Sequence, residues 1–415
     1  MRRPTTIERL YLDFDGFFAS VEQQADKKLR GKPIGVVPFE GTNRTCVIAC
    51  SREAKKFGVK NVMPIDEALS KCPDIILVPQ KPDLYRRAHN TLLAEIESVI
   101  PIDAVKSIDE LTCRLDEKQR AAPEALAQKI KQTLAQHVGP YLTCSIGFAA
   151  NRQLAKIAGK KNKPNGVTIW HPHMMPAPLL SVALDDIPGV GSRMKRKLAG
   201  IGIFDTPALY AMQAKHMRKV WHSVTGERLW YALHGYDIQA PETERGMFGH
   251  GRVLPPESRS LGAAHVIAKL LLVKAARRLR RSGFYCSGLW VWFSIKDGSW
   301  ERHRSMHMVR DDSAILHALL ALWQQAESEL PRKTTIYRVG VTLTHITPDD
   351  ARQVDLLLND DVERKKQEAV TTAMDNLNNR FGRTVVSLGQ WQPPAGGHVG
   401  GKISYTRIPS AEDFW

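Results

Sequence analysis

The sequence predicts a mixed α/β protein built from several domains. Its 415 residues exceed the length of one ordinary domain, so we expect about two to four. Strand-like apolar runs alternate with helical patterns from residue 7 to about residue 160, which is typical of an α/β body. Residues 251–348 follow a strand–helix–strand–strand–helix–strand order, which predicts an antiparallel sheet with two helices on one face.

The N-terminal part supplies the alternating pattern. Residues 7–18 are predicted to form a strand that runs into a loop, and Gly31 opens a turn. Ser51 is expected to cap a short helix that extends to Gly58. Further strands are predicted at 34–37, 46–50, 75–78, 102–108, 111–115 and 143–149, and further helices at 64–70, 85–99, 123–138 and 151–159.

The C-terminal half changes character twice. Residues 180–235 are helical and poor in strand-like runs, and a Pro- and Glu-containing linker follows them. The next elements are strands near 250–255, 285–295, 299–308 and 336–343, with helices at 264–282 and 312–329. A last helix is predicted at 363–381, whereas 390–405 are rich in Gly, Pro and Gln and are expected to be loop-like.

The composition narrows the class of protein. Lys and Arg outnumber Asp and Glu by 59 to 43, which indicates a polyanionic partner, although a basic surface also serves solubility. No apolar run reaches the roughly 20 residues of a membrane span, and residues 1–4 lack a signal-peptide core. Six scattered cysteines without a CxxC pair indicate reduced structural thiols rather than zinc. We therefore expect a soluble, intracellular protein with no membrane partner.

Two acidic clusters carry the chemical information. Residues 13–22 (DFDGFFASVE) and 107–110 (SIDE) each follow an apolar, strand-like run. Buried carboxylates repel one another unless a cation neutralises them, and hard oxygen ligands suit Mg²⁺. Two such ions about 3.5–4 Å apart would favour an in-line phosphoryl displacement. Strand periodicity alone places Asp13 and Asp15 on one face and points Asp109 and Glu110 in opposite directions.

Two basic features suggest contact with nucleic acid. Gly189 and Gly191 lie in the run IPGVG, where a glycine turn before a helix leaves backbone N–H groups for a phosphate; a plain turn between helices is the alternative. Four arginines crowd the predicted end of helix 264–282, and we favour phosphate contact over a merely solvated helix end. These four are Arg277, Arg278, Arg280 and Arg281.

Four motifs in this order (DFDGFFASVE, SIDE, KPNG at 163–166 and IPGVG at 187–191) closely resemble those of the Y-family translesion DNA polymerases of the DinB and UmuC branches. The resemblance covers roughly residues 7–358. It implies a right-hand polymerase that extends primers past damaged bases, with low fidelity, in the SOS response. The implied domains are a ferredoxin-like palm (1–18 and 86–180), fingers (19–85), a helix-hairpin-helix thumb (181–240), a linker (241–250), a βαββαβ little finger (251–348) and a tail (349–415).

The resemblance also assigns the metal ligands. It implies that Asp13, Asp109 and Glu110 hold two Mg²⁺ ions and that the backbone carbonyl of Phe14 adds a ligand. Asp15 is then structural. Because strand periodicity points Glu110 away, the family pattern requires a turn or bulge that aims it inward.

The nucleotide-binding residues follow in the same way. Phe18 occupies the position of the steric gate that excludes a ribose 2′-hydroxyl, and Tyr85 is expected to support it. Lys55 and Lys163 match the cations that bind the triphosphate of the incoming dNTP. Arg52 stands where DinB-type members usually carry a tyrosine, and an arginine can still bind phosphate.

The tail suggests two protein partners. The run QVDLLL resembles the peptide that docks in the sliding-clamp groove, although its last residue is a leucine instead of an aromatic residue. Its expected contact residues are Gln353, Leu356, Leu357 and Leu358. Residues 375–382 and 404–406 resemble the UmuC-type C-terminus, which suggests a damage-response accessory protein. With primer–template DNA as the main partner, we expect a cytoplasmic, nucleoid-associated enzyme.

Three other functions explain the sequence less completely than a polymerase does. A catalytically inactive polymerase-like scaffold of a mutagenesis complex is disfavoured because Asp13, Asp109 and Glu110 are all present. A nucleotide cyclase would explain paired acids but not the IPGVG run or the basic C-terminal region. A bare DNA-binding module would explain the charge and leave the acids unexplained.

Overall fold

The computed structural model describes residues 1–38, 45–239, 244–351, 361–389 and 408–411. The chain divides into two compact units, the first comprising Met1–Pro241 with Ile403–Ile408 and the second Glu242–Lys402 with Pro409–Trp415. Among the described residues, no helix combines the length and apolar character that a membrane span needs.

The first unit alternates strands and helices before it becomes purely helical. Its strands are β1 (Arg9–Phe14), β2 (Ile34–Val37), β3 (Cys46–Val47), β4 (Ala49–Cys50), β5 (Met63–Pro64), β6 (Ile76–Pro79), β7 (Ala104–Val105), β8 (Glu110–Arg114), β9 (Cys144–Ala149) and β10 (Val167–Ile169). Its helices are α1 (Phe17–Ala25), α2 (Arg52–Lys56), α3 (Ile65–Lys71), α4 (Pro82–Glu97), α5 (Glu117–Ala121), α6 (Pro123–His137), α7 (Arg152–Lys161), α8 (Ala177–Leu180), α9 (Ser192–Ala199), α10 (Thr206–Ala211), α11 (Ala214–Trp221) and α12 (Val224–Leu233).

The main sheet of the first unit has the strand order β10-β9-β1-β8-β7 within the described ranges. Strand β1 is antiparallel to both β8 and β9, and β10 is parallel to β9. Strand β1 is almost fully buried, as expected for a central strand with neighbours on both sides. Strands β2 to β6, which lie between β1 and β7 in the chain, form two smaller sheets of order β4-β2-β6 and β3-β5.

Helix α7 packs unusually close to the main sheet through two glycines. A Cβ atom on Gly147 of β9 would lie 2.0 Å from the carbonyl oxygen of Ala155 and 2.3 Å from the amide nitrogen of Gly159. No side chain fits at such distances, so only glycine at position 147 permits this approach. The close contact sets the height of α7 above the sheet.

The second unit contains the predicted antiparallel sheet and its two helices. The elements are β11 (Phe248–Val253), α13 (Leu261–Arg281), β12 (Phe284–Ile295), β13 (Gly298–Val309), α14 (Asp312–Glu329), β14 (Arg338–Pro348) and α15 (Asp361–Phe381). The strand order is β11-β14-β12-β13, and every neighbouring pair is antiparallel. Leu289, Val291 and Phe293 of β12 are buried in one core with both α13 and α14, which confirms the predicted arrangement.

Several local predictions were wrong. Helix α1 replaces the loop expected after residue 14, because Gly16 takes a left-handed conformation (φ 56°) that turns the chain directly into a helix. The predicted strand 46–50 is split into β3 and β4, which belong to different sheets.

The predicted domain boundaries at 18/19 and 85/86 fall inside α1 and α4, so neither coincides with a break in secondary structure. The division into palm, fingers, thumb and little finger stays a prediction.

Candidate active site

The site is built where β1 and β8 lie side by side. Asp13, next to the last residue of β1, is directly opposite Glu110, the first residue of β8. Phe14, whose carbonyl is a predicted ligand, ends β1 and donates its amide to the carbonyl of Asp109 at 2.8 Å. Two carboxylates from residues almost a hundred positions apart are therefore neighbours because of the strand register.

A tight turn before β8 resolves the problem of two adjacent acids. The amide groups of Lys106 and Ser107 both donate to the carbonyl of Glu110, at 2.8 and 3.2 Å. Asp109 therefore lies in a turn and not in a strand, so strand alternation does not apply to the pair. The Ser107 hydroxyl donates to the Asp109 carboxylate at 2.5 Å. The structure thus supplies the turn that the family pattern requires.

Sequence reasoning missed a residue that supports this turn. The buried His89 of α4 lies 2.7 Å, through Nδ1, from the carbonyl oxygen of Ile108. Burial lowers the pKa of His89, which favours a neutral ring that donates from Nδ1. Its only sequence signal is a polar residue on the apolar side of a predicted helix. His89 therefore fixes the backbone one residue before Asp109.

The electrostatics of the cluster favour a bound cation. Burial raises the pKa of Asp13 to about 6; the carboxylates of Asp109 and Glu110 add to the rise, and Lys163 opposes it. The pKa of Asp109 is also raised, by burial first and by Glu110 as well. Buried carboxylates whose ionised forms are this disfavoured gain stability from any positive charge placed among them.

Two lysines provide positive charge at the site. Lys163 forms an ion pair with Asp13, and Lys156 of α7 lies 2.7 and 2.9 Å from the two carboxylate oxygens of Glu110. Lys156 also sits 5.1 Å from the ring centroid of Tyr11. Sequence reasoning did not find Lys156, because nothing in its helix distinguishes it from the neighbouring lysines.

The donor set suits a hard divalent ion. Carboxylate oxygens and a backbone carbonyl are the ligands that Mg²⁺ prefers. In the described ranges, no group of three or more His, Cys, Asp or Glu side chains is arranged to enclose a metal ion. A divalent ion would compete with the ammonium groups of Lys156 and Lys163 for the same oxygens. The assignment of Asp13, Phe14, Asp109 and Glu110 as ligands stays a prediction.

An aromatic stack borders the site where α1 begins. Phe18 is half-buried and stacks on Tyr85 of α4, with ring centroids 4.6 Å apart and planes at 25°. The Tyr85 hydroxyl donates to the fully buried Glu22 at 2.8 Å, and Lys81 pairs with the same carboxylate at 2.8 Å. Phe17, in contrast, is a core residue. Phe18 is therefore held in place by its stack on Tyr85, whose hydroxyl is fixed by the buried carboxylate of Glu22.

The predicted phosphate-binding cations lie at the ends of local elements. Ser51 caps α2 as expected, since its hydroxyl accepts from the Ala54 amide, and Arg52 is the first residue of that helix. Lys55 is exposed one turn further on. The Nη2 atom of Arg52 lies 3.6 Å from an oxygen of Asp15. Lys163 comes from the loop before β10.

Comparison with known proteins decides the family. The model of the impB/mucB/samB family matches residues 12–160, and the model of its C-terminal domain matches residues 245–356. DNA polymerase IV of Moorella thermoacetica is 30% identical over 387 residues, which are 91% of this chain and 94% of that protein. DNA polymerase IV 1 of Bacillus subtilis is 27% identical over 390 residues, 91% of this chain and 92% of that protein.

A solved structure agrees with these relatives. The Y-family DNA polymerase chimera Dbh-Dpo4(243-245)-Dbh has a TM-score of 0.70 and 25% identity, over 82% of this chain and 99% of that one. The chain belongs to the Y-family of DNA polymerases. Its relatives named DNA polymerase IV indicate the DinB-like branch, which the sequence motifs alone left open. It is a DNA-directed DNA polymerase of the translesion type, which sets aside the cyclase and the inactive scaffold.

The Y-family membership bears on the glycine turn before α9. Gly189 has a φ angle of 104°, a conformation that residues other than glycine rarely adopt. Gly191 is the N-cap of α9 and has no side chain to cap the helix. Both residues are exposed. An uncapped helix start in an exposed turn is the arrangement that a phosphate-binding hairpin needs. Contact of this Y-family polymerase with DNA through Gly189 and Gly191 stays a prediction.

Two of the four arginines at the end of α13 are bonded inside the second unit of this polymerase. The side chain of Arg280 is largely buried and pairs with Asp312 at 2.7 Å and with Asp375 at 2.7 and 3.0 Å. Arg278 is also buried and donates to the Gly249 carbonyl at 2.8 Å. Both side chains have partners inside the second unit, which disfavours phosphate contact, and their role as phosphate contacts stays a prediction. Asp312 and Asp375, which neutralise Arg280, lie far from it in the sequence, so the run of arginines alone does not reveal this pairing.

The two other arginines have mixed surroundings. Arg277 is partly buried, with Nε 3.5 Å from a carboxylate oxygen of Asp375, and burial lowers its pKa. Arg281 is exposed and donates to the Ser410 hydroxyl at 3.4 and 3.5 Å. Phosphate contact by these two stays a prediction. The clamp-like residues 353–358 lie outside the described residues.

Proposed function

We propose that this Y-family polymerase adds dNTPs to a primer 3′-hydroxyl through a two-metal-ion nucleotidyl transfer. The observation that carries the proposal is the meeting of Asp13 with Glu110 across β1 and β8, with Asp109 in the adjacent turn. Y-family polymerases are nucleotidyltransferases that generally use divalent metal ions. Two Mg²⁺ ions held by these carboxylates and the Phe14 carbonyl would activate the attacking hydroxyl and stabilise the departing pyrophosphate.

The remaining groups of the site orient the nucleotide. Phe18, fixed by its stack on Tyr85, is proposed to lie under the sugar and to exclude a 2′-hydroxyl. Arg52, Lys55 and Lys163 are proposed to hold the triphosphate, since cations placed before the reaction stabilise charge that develops on transfer. An arginine offers a planar, bidentate donor to phosphate that a tyrosine hydroxyl does not.

The partners are primer–template DNA and a dNTP. Solved structures with TM-scores of 0.55 are entitled as an insertion ternary complex and a post-insertion binary complex of Dbh DNA polymerase. We infer the same substrate classes here, which agrees with the excess of basic residues. A sliding clamp at residues 353–358, a damage-response accessory protein, and action on the nucleoid in the cytoplasm remain proposals from the sequence.

Replacing one carboxylate tests the mechanism. Asp109→Asn should abolish primer extension and leave primer–template binding nearly unchanged, because the DNA is held mainly through its phosphates. Extension is measured on a labelled primer with Mg²⁺, and binding by fluorescence anisotropy. Asp74→Asn, a change at an exposed acid on the surface, is the matched control and should extend normally. Extension by Asp109→Asn at the wild-type rate would remove the metal assignment.

A further inference from the structure

Asp15 is the most heavily bonded carboxylate next to the site, although the mechanism does not use it. Its Oδ1 accepts from the Ser145 hydroxyl at 2.7 Å, and its Oδ2 accepts from the Thr143 hydroxyl and the Asn165 amide, both at 2.8 Å. The side chain is only 4% exposed. Three donors therefore converge on one buried carboxyl group beneath the site.

Arg52 faces the same oxygen. Its Nη2 lies 3.6 Å from Oδ2 of Asp15, which is within ion-pair range but beyond a hydrogen bond. That nitrogen is buried and has no hydrogen-bond partner among the residues that the structure describes. A buried donor without an acceptor is costly, so the guanidinium gains from a further anion. Asp15 thus holds the Arg52 guanidinium by an ion pair and does not satisfy its Nη2 donor.

Asp15 also controls the loop that carries Lys163. Its bond to the Asn165 amide fixes that loop two residues beyond the lysine. Lys131 of α6 fixes the loop from the other side, through the carbonyl groups of Asn165 and Gly166. Lys163 itself reaches Asp13. One carboxylate therefore contacts both Arg52 and the segment that presents Lys163.

We propose that Asp15 is a positioning residue for the incoming nucleoside triphosphate. It sets the spacing between Arg52 and Lys163, the two cations that the proposed function places on the phosphates, and the inference rests on that function. Asp15 does not touch the substrate. A purely structural acid would need only its three hydrogen-bond donors, Thr143, Ser145 and Asn165. The ion pair with Arg52 connects Asp15 in addition to a cation that is proposed to bind phosphate.

Asp15→Asn removes the charge and keeps the hydrogen bonds. The amide oxygen can accept from Thr143 and Asn165, and the amide nitrogen can donate to the Ser145 hydroxyl. We expect the Kd for a dNTP to rise about fivefold, the effect of losing one partly exposed ion pair. The Kd is measured on a primer–template ended by a 3′-dideoxynucleotide, so that no chemistry occurs. Affinity for the DNA should not change.

Two milder variants form a matched pair on opposite oxygens. Thr143→Val removes a donor from Oδ2, the oxygen beside Arg52, and should raise the Kd for the dNTP about twofold. Ser145→Ala removes a donor from Oδ1 only and should leave that Kd unchanged. These variants keep the inference testable if Asp15→Asn does not fold.

A double-mutant cycle separates positioning from support of the fold. If Asp15 acts through Arg52, Asp15→Asn should have no further effect on the Kd for the dNTP in an Arg52→Gln background, and Arg52→Lys should restore part of the affinity. Additive effects, or an unchanged Kd with a lower melting temperature, would overturn the inference alone. A wild-type protein that extends no primer would overturn the proposed function as well.

Discussion

Replacing Arg280 with methionine should strongly destabilise the second unit. The Arg280 side chain is 9% exposed and donates to Asp312, to both oxygens of Asp375 and to the Arg310 carbonyl. Asp312 is 4% exposed, so without the guanidinium its charge is left buried and unpaired. Methionine fills a similar volume and brings no charge, which isolates the electrostatic loss.

The expected loss follows from the exposure of the two carboxylates. Removing one partner of a buried ion pair costs about 3–5 kcal/mol. Asp375 is 21% exposed and can be solvated in part, so we take the lower end, about 3 kcal/mol. For a unit of this size that corresponds to a fall in melting temperature of roughly 6–12 °C.

The loss should depend on pH. Burial raises the pKa of Asp312 even with Arg280 present, and removing Arg280 raises it further. A carboxyl whose pKa is raised in the folded state stabilises that state most at low pH. The destabilisation by Arg280→Met should therefore shrink as the pH is lowered from 7.5 towards about 4.

Thermal unfolding of the full chain, followed by circular dichroism at both pH values, measures the loss. The double variant Arg280→Met/Asp312→Leu should recover part of the stability, because it removes the stranded charge as well. The salt dependence of primer–template binding is measured in parallel and should not change. An unchanged melting temperature together with a salt slope reduced by about one would show that Arg280 contacts a phosphate instead.

Three further predictions concern the sugar, the pH and the clamp. Phe18→Ala should reduce discrimination against ribonucleotides by roughly a hundredfold, measured as the ratio of kcat/KM for dNTP and rNTP. The pKa of His265 is lowered to about 4 by burial, so stability should fall as the pH drops from about 6.5 to 4. Partial exposure limits that loss to about 1–2 kcal/mol, and His265→Phe, which keeps the stack on Trp323, should abolish it. Deleting residues 353–358 should remove stimulation by a sliding clamp and spare extension without it.

Each of these has a control in the same chain. Phe57→Ala changes an exposed phenylalanine and should leave sugar selectivity intact; loss of selectivity there would remove the gate from Phe18. His317→Phe changes an exposed histidine of the same unit and should keep the acid sensitivity. Clamp stimulation that survives the deletion would place the docking peptide elsewhere in the chain.

Local signals in the sequence predicted many of the elements correctly. Ser51 caps α2, and the strand and helix order of residues 251–348 matches the structure, because capping and hydrophobic periodicity act over a few residues. Helix α1 was missed since its start depends on the left-handed turn at Gly16, which sequence spacing does not show. Without the family resemblance, Asp13 and Glu110 could be singled out only as acids that follow apolar runs, and their pairing across β1 and β8 depends on the tertiary structure.

The residues that support the site could not be predicted from the sequence, for a different reason. His89 and Lys156 act on groups 19 and 46 positions away in the chain, and nothing local distinguishes them from ordinary polar residues. The ion pairs of Arg280 were missed because its carboxylate partners lie 32 and 95 positions away. The pattern of charges along the sequence does not show which arginine is neutralised by a carboxylate far away in the chain.

The glycine contact between β9 and α7 has a consequence for how the enzyme can change. Lys156 reaches Glu110 because α7 packs very close to the sheet, and this close packing depends on the absence of a side chain at position 147. A single methyl group there would lift the helix and carry the ammonium group away from the carboxylates. The position of a positive charge beside Glu110 thus depends on how closely two stretches of backbone can approach, so a substitution at position 147 would act on the site without touching it.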